Sequence, residues 1–90
     1  MISSIDELET WDGARLARLH TVVSLDDVAV ALHGVSPALA AAMVRAMPLR
    51  LRLRYLVHPA RRARHRLDAV EAAHMRIAEA ANVLELDVKA

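Results

Sequence analysis

The sequence has no cysteine and no phenylalanine, and only one tryptophan, one tyrosine and two glycines among its 90 residues. Without cysteine the chain forms no disulfide and offers no thiolate to a metal. It contains no glycine-rich phosphate-binding loop and no serine in a nucleophile elbow. These absences predict a protein that is not an enzyme and binds no cofactor.

Long apolar runs are also missing, since none approaches the roughly 20 residues that a membrane-spanning helix needs. The N-terminus shows no basic segment followed by an apolar one, which is the pattern of a secretory signal. The sequence therefore predicts a cytoplasmic protein without membrane insertion, organised as a single domain over residues 1–90.

What the chain does contain is aliphatic. Eighteen alanines, together with Leu, Val, Ile and Met, dominate the apolar residues, while β-branched and aromatic runs are sparse. This composition predicts an all-α fold, read as a compact bundle of six helices. Met43, Met47 and Met75 are predicted to fill irregular gaps in an aromatic-poor core.

Helix boundaries can be read from capping patterns. Pro37 suits a first helical position, Asp68 and Glu71 resemble a capping box, and Gly34 is expected to end a helix in the left-handed conformation. Four further side chains are placed to cap helices: Ser4, Asp12, Ser24 and Ser36. Apolar spacing predicts a core from Ile5, Leu8, Trp11, Leu16, Leu19, Val23, Val28, Ala31, Leu32, Leu39, Ala42, Met43, Ala46, Val70, Ala73, Ile77, Ala81 and Leu84.

Residues 49–54 carry conflicting signals. Leucine and arginine alternate strictly there, which is the periodicity of a strand. A lone strand would leave both of its edges unpaired, so the segment is predicted to be a helix.

Charge is segregated along the chain. Eight of the twelve Lys and Arg residues lie between Arg45 and Arg66, with no acid among them, whereas residues 1–40 carry a net charge of −4 and residues 67–90 one of −3. A field divided in this way favours association with an oppositely charged partner. A solvated face, with arginine stems covering a thin core, is the simpler alternative.

Three segments together resemble the C-terminal domain of FliG, the bacterial flagellar motor switch protein. Residues 26–36 are similar to the stretch that opens its torque-generating half, which runs acidic-polar-Leu-Ala-x-Ala-Leu-Lys-Gly-Ala. Residues 45–50 resemble its Arg-Asn-Met-Ser-x-Arg, and residues 66–71 its Arg-Leu-x-x-Val-Glu. The register holds without a gap from about Ile2 to Leu86.

The resemblance implies an armadillo-like bundle of six helices that faces the stator's cytoplasmic loop through a charged ridge. By position, a ridge lysine of the family falls on His33 and two ridge arginines fall on Arg50 and Arg66. With three neighbouring arginines these form the predicted partner-binding ridge, called the basic ridge below: His33, Arg50, Arg61, Arg62, Arg64 and Arg66.

Some positions depart from the family pattern. Its two adjacent ridge carboxylates fall on Val57 and His58, and its Met-Phe-x-Phe hinge falls on residues 2–5. Arg52 and Arg54 fall where the family has apolar residues, and a shift of one residue would instead place Leu53 and Leu56 in the core.

The predicted partner is a protein with an acidic surface: a stator loop or switch-complex protein if the chain belongs to the motor, at the cytoplasmic face of the flagellar basal body. A stand-alone adaptor that kept the fold and lost the torque role is the alternative. Nucleic acid is disfavoured because Tyr55 is the only aromatic residue near the arginines. Self-association through an exposed apolar end is a further expectation.

The five histidines invite a metal hypothesis. No two are at i,i+4 spacing, and none forms a zinc-binding motif with a carboxylate. We therefore expect exposed or hydrogen-bonded histidines and no metal site at His20, His33, His58, His65 and His74.

Overall fold

The computed structural model describes the backbone of residues 2–89 and the side chains of residues 2–86. The predicted span of 1–90 for a single domain thus includes two residues, Met1 and Ala90, that lie outside the described part. Between residues 2 and 89 every regular element is a helix. The α-helices are α1 (Gly13–Leu19), α2 (Leu25–Ala31), α3 (Pro37–Arg45), α4 (Leu49–Leu56), α5 (Pro59–Arg62) and α6 (Leu67–Lys89).

Two 3-10 helices complete the chain, at Ile5–Thr10 and at Leu32–Gly34. The all-helical prediction is confirmed. Two details differ from it, because the first predicted helix is of the 3-10 type and the segment after Pro59 forms one extra helical turn.

The predicted caps explain where the helices begin. Ser4 and Glu7 form a complete capping box at the first 3-10 helix. The side chain of Asp12 accepts a hydrogen bond from the backbone N–H of Arg15 at 2.8 Å, and Ser24 and Ser36 cap α2 and α3 in the same way. Each such cap stabilises a helix by about 1 kcal/mol because it satisfies an amide that the helix itself leaves unpaired.

Helix α6 is the longest element and packs chiefly on α2, with further contacts to the N-terminal 3-10 helix and to α1. Its predicted core positions are confirmed, since all five are buried: Val70, Ala73, Ile77, Ala81 and Leu84. Burying a side chain such as Ile77 contributes roughly 1.5–3 kcal/mol. Asp68 lies inside the first turn of α6 and is not its N-cap, because the helix already begins at Leu67.

Most of the remaining predicted core is confirmed, including Trp11, Met43 and Met47. Four predicted positions are only partly buried: Val23, Leu32, Ala42 and Ala46. Met75 was assigned to the core wrongly, since 65% of it is exposed on the outer side of α6.

The helical segment ends at Gly34 as predicted, but the predicted left-handed conformation is wrong, because no glycine in the described chain has a positive φ. The reason for a glycine is close packing. A Cβ atom at Gly34 would lie 2.7 Å from Val70 Cγ1 and 3.0 Å from His74 Cε1 of helix α6. The backbone of the 3-10 helix at Leu32–Gly34 can approach α6 only when that position has no side chain.

Residues 49–54 form a helix, as predicted, within α4. Its core side carries Tyr55, which is buried, and Leu51, which packs partly buried against the core. Leu53 and Leu56 are 56% and 41% exposed. The one-residue shift that would bury those two leucines therefore finds no support in the packing.

The first and last elements are joined by one side chain. The amide group of Asn82 accepts a hydrogen bond from the backbone N–H of Ile2 and donates one to the carbonyl oxygen of Ile2, at 2.9 Å. Ile2 and Ile5 are buried beside it. Asn82 thus fixes the N-terminal segment along α6.

Candidate partner-binding surface

The basic segment of residues 45–66 folds into the last turn of α3, the helices α4 and α5, and the connection from α5 to α6. Of its eight arginines, only Arg52 and Arg61 are partly buried, and the other six are exposed. Arg66 alone lies within 4 Å of a carboxylate among the described residues, with its Nε 3.7 Å from Asp68 Oδ1. The cationic charge of this segment is therefore largely unneutralised within the chain.

Three members of the basic ridge share one depression. His33, Arg61 and Arg62 line a surface hollow of about 450 Å³ together with Tyr55. The Arg61 guanidinium lies 5.7 Å from the centre of the Tyr55 ring and donates a hydrogen bond to the carbonyl oxygen of Leu56 at 3.3 Å. This cation–π contact holds Arg61 at the edge of the hollow.

His33 is positioned by α5. Its Nε2 donates a hydrogen bond to the carbonyl oxygen of Ala60 at 2.8 Å, and Nε2 of His65 donates to the same oxygen at 2.7 Å. The two imidazole rings meet edge to face, with centroids 4.9 Å apart. Because a carbonyl oxygen only accepts, both rings carry a proton on Nε2, and both fix the turn of α5 against the end of α2.

Arg64 and Arg66 lie in the connection that follows α5, where both are exposed. The side chain of Arg66 is 90% exposed, so its pair with Asp68 contributes at most a few tenths of a kcal/mol. Both side chains are thus available to a partner.

Arg50 lies apart on the first turn of α4 and is exposed. Within the described chain it makes no side-chain hydrogen bond or ion pair with another member of the ridge. The structure accordingly gathers His33, Arg61 and Arg62 around one hollow and leaves Arg50 on a separate helix.

The two positions of the family's ridge carboxylates differ in their surroundings. Val57 is 81% exposed at the end of α4. His58 instead caps α5, because its Nδ1 accepts a hydrogen bond from the N–H of Ala60 at 3.0 Å. Nε2 of the same ring lies 2.6 Å from Oδ1 of Asp26. An acid is present near this site, but α2 supplies it.

Arg52 has a structural role that the sequence analysis missed. Its guanidinium donates hydrogen bonds to the carbonyl oxygens of Val44 at 3.3 Å, Arg45 at 3.0 Å and Met47 at 3.2 Å. These carbonyls lie in the last turn of α3 and just beyond it, and the Val44 carbonyl also accepts a hydrogen bond from the backbone N–H of Met47 at 3.1 Å. A cation at this end of α3 also complements the helix dipole. The available signal was an arginine a few residues beyond the break at Met47 and Pro48.

All five histidines are hydrogen-bonded within the chain, which is one of the two arrangements expected for them. His20 is buried, and its Nε2 donates to the carbonyl oxygen of Met43 at 2.8 Å. Its Nδ1 is buried without a hydrogen-bond partner in the described structure. Burial lowers the pKa of His20, because a protonated ring would carry its charge into the core.

Among the described residues, no group of three or more acids and histidines is arranged to hold a metal ion. No helix in the described part of the chain has both the length and the apolar character needed to cross a bilayer.

Two of the arginines outside residues 45–66 form close ion pairs, whereas Arg18 has no carboxylate within 4 Å among the described residues. Arg15 reaches Glu85 Oε1 at 3.0 Å and also lies 4.2 Å above the Trp11 ring centre. Arg76 lies 2.8 Å from Asp27, whose hydrogen bond and charge raise the pKa of the guanidinium. The unpaired arginines of the described chain are thus concentrated in residues 45–66.

The fold and this surface define an all-helical bundle with one strongly basic segment at residues 45–66. The family model of the FliG C-terminal domain matches residues 1–87, which is nearly the whole chain. The chain therefore belongs to the FliG C-terminal domain family, a family of flagellar motor components that serve motility. No curated protein and no solved structure matches it.

Proposed function

We propose that this chain is a non-catalytic interaction module of the flagellar rotor and switch. It engages an acidic protein surface, the cytoplasmic loop of the stator or a switch-complex protein, through the basic ridge. Membership of the FliG C-terminal domain family supports the motor role. Its site of action is then the cytoplasmic face of the basal body.

The observation that carries this proposal is the exposed and unneutralised charge of the basic segment. Seven of its eight arginines have no carboxylate within 4 Å among the described residues. Uncompensated charge on one face speeds encounter with an opposite charge and penalises partners of the same sign.

The contact is expected to be brief. Exposed ion pairs contribute roughly 0.2–1 kcal/mol each, and salt at physiological strength screens charges beyond about 8 Å. A rotor surface that passes successive stator units needs such short-lived contacts. Added salt should therefore weaken binding.

One observation favours a second candidate, an adaptor outside the motor. Val57 and His58 stand at the family's ridge carboxylates, and Val57 is 81% exposed. An apolar side chain there cannot attract a basic stator group. An adaptor would use the same basic ridge on a different acidic protein.

Charge reversal in the native host tests the motor role. The variant Arg50→Glu with Arg66→Glu should abolish swimming while keeping the helical circular dichroism of the wild type. Each reversal replaces an attraction with a repulsion, so partner affinity should fall about tenfold or more at low salt. The matched control is Arg18→Glu, which reverses an exposed arginine on α1 and should leave swimming intact.

Normal swimming in the double variant would rule out the motor role of the ridge. Capture of the tagged chain from its native cytoplasm, with and without nuclease, then separates the candidates. Stator or switch-complex proteins support the motor, and an unrelated acidic protein supports the adaptor. Binding that nuclease abolishes would refute both.

A further inference from the structure

The large exposed apolar side chains are concentrated on two helix faces. Nine such side chains are more than 40% exposed in the described chain, and eight of them belong to α4, its last cap or α6. The ninth is Val22, in the turn after α1. Chance exposure would scatter these residues over the surface.

On α4 the exposed residues form a row with four-residue spacing, Leu49, Leu53 and Val57. Arg50 and Arg54 form a parallel row beside it and are exposed as well. The core side of the same helix already carries Leu51 and Tyr55, so the outer row is a second apolar face. We call this outer surface, with its flanking arginines, the α4 row; its members are Leu49, Arg50, Leu53, Arg54, Leu56 and Val57.

Helix α6 presents a row of the same spacing in which apolar residues alternate with acids. Its five positions are all exposed, and Leu86 lies beside them. The row borders a groove of about 460 Å³ between α6 and the N-terminal segment, where Asp6 adds a third acid. This surface is called the α6 row: Leu67, Glu71, Met75, Glu79, Val83 and Leu86.

We propose that these two surfaces bind each other between copies of this chain, the α4 row of one copy packing against the α6 row and groove of the next. The α4 row shares Arg50 with the basic ridge, so a copy whose α4 row is occupied still presents Arg61, Arg62, Arg64 and Arg66 to an acidic partner.

Geometry supports the pairing. Rows of four-residue spacing on two helices interdigitate in the commonest mode of helix packing, with axes crossing at about −50°. The α4 row spans about 12 Å and the α6 row about 24 Å at 1.5 Å per residue, so the longer row can accept the shorter one. Within one copy both rows face solvent, which leaves them free to meet only between copies.

Charge selects this pairing over the symmetric ones. Two α4 rows face to face would bring Arg50 and Arg54 of both copies together, and two α6 rows would do the same with Glu71 and Glu79. Like charges in an interface are strongly disfavoured, whereas α4 against α6 places arginines among carboxylates.

The contact is thus head-to-tail. In a pair of copies, the first still has a free α6 row and the second a free α4 row. Further copies can therefore add at both ends, so the contact builds open chains or closes into a ring. Its few apolar side chains make each single contact weak, so assembly should depend steeply on concentration.

Sedimentation velocity of the purified chain is the first test, from about 10 µM to about 1 mM, a range that brackets weak affinities. The expected result is a sedimentation coefficient that rises with concentration and falls when salt is added. A wild-type chain that stays monomeric over the whole range would overturn the proposal.

Complementation of two blocked variants is the decisive test. Leu53→Glu places a charge in the α4 row, and Met75→Lys places one in the α6 row. Each variant alone should self-associate at least about tenfold more weakly than the wild type. A mixture of the two should recover a heterodimer, because the intact α4 row of the Met75→Lys chain can pack against the intact α6 row of the Leu53→Glu chain.

Both substituted side chains are already more than half exposed, and circular dichroism verifies that the variants keep their fold. The matched control is Val22→Glu, which charges the one large exposed apolar side chain of the described residues that lies outside both rows, and this variant should assemble like the wild type. The head-to-tail contact would be refuted if either variant alone assembled as strongly as the wild type. It would also be refuted if the mixture formed no heterodimer.

Discussion

Replacing Gly34 with alanine tests how closely the 3-10 helix at Leu32–Gly34 is packed against α6. The added methyl group would lie 2.7 Å from Val70 Cγ1, a distance that no relaxed contact between carbons reaches. Val70 is buried and β-branched, so its single favoured rotamer in a helix leaves little room to move. The backbone or α6 itself must therefore shift.

The expected cost is a balance of two terms. Overpacking a tight site costs about 1–3 kcal/mol. The backbone at Gly34 lies outside the left-handed region, so alanine recovers about 0.4–1 kcal/mol by restricting the unfolded chain. The net loss should be about 1–2 kcal/mol, which for a domain of this size lowers Tm by about 4–16 °C.

A double-mutant cycle with Val70→Ala isolates the contact, read by urea unfolding followed by circular dichroism. Val70→Ala alone should cost about 2 kcal/mol through lost burial. In the double variant the new methyl group occupies the space that Val70 vacated. We expect the double variant to be no less stable than Val70→Ala. The cost of Gly34→Ala would then disappear, which corresponds to a coupling free energy of about 1–2 kcal/mol between the two substitutions.

Gly13 provides the matched control, because a Cβ atom there would meet nothing within 4 Å. Gly13→Ala should stabilise the first turn of α1 by about 0.4–1 kcal/mol. The packing argument fails if Gly34→Ala is as stable as the wild type, or if its cost adds to that of Val70→Ala without coupling.

Three further substitutions test other contacts. Burial lowers the pKa of His20, so the neutral ring stabilises the fold above the unfolded pKa near 6.5, and this contribution is lost as pH falls below it. His20→Gln should therefore flatten the decline in unfolding free energy between about pH 7.5 and 5. An unchanged decline would contradict the role of His20. Arg52→Met should cost about 1–2 kcal/mol in urea unfolding, because it removes the side-chain donor to the carbonyls of Val44, Arg45 and Met47. The exposed Arg54→Met should be neutral, and equal effects of the two substitutions would refute the capping role of Arg52. His58→Ala should lose about 1 kcal/mol by removing the cap of α5, and an unaltered Tm would exclude that role.

Features that depend on neighbours along the chain could be predicted. Ser4, Asp12, Ser24 and Ser36 each bond an amide two or three residues away, so their roles follow from local sequence. The apolar face of α6 could be predicted equally well, because its apolar residues recur with the period of a helix.

Features that depend on how helices cross could not be predicted. Gly34 is needed because α6 passes close to it, and nothing near Gly34 in the sequence encodes that distance. Arg52 belongs to a basic run by composition, yet its guanidinium folds back onto the end of α3. His33 shares the carbonyl oxygen of Ala60 with His65, a contact that joins residues from three parts of the chain.

The surface features likewise include some that the sequence predicts and some that depend on packing. The charge of the basic ridge was evident from the sequence, and the exposure of Arg50, Arg62, Arg64 and Arg66 agrees with it. The apolar α4 row could not be recognised from the sequence. Alternating leucines on a helix lie on more than one face, and only the packing shows which of them are buried and which are exposed.

The bond between Asn82 and Ile2 links positions 80 residues apart. Closing a loop of that length costs about 4 kcal/mol of chain entropy, more than two hydrogen bonds of about 1 kcal/mol each can offset. The remainder must come from Ile2, Ile5 and Leu8 as they are buried. We therefore expect the N-terminal segment and the adjoining turns of α6 to behave as one cooperative unit, which forms late in folding and opens as a whole.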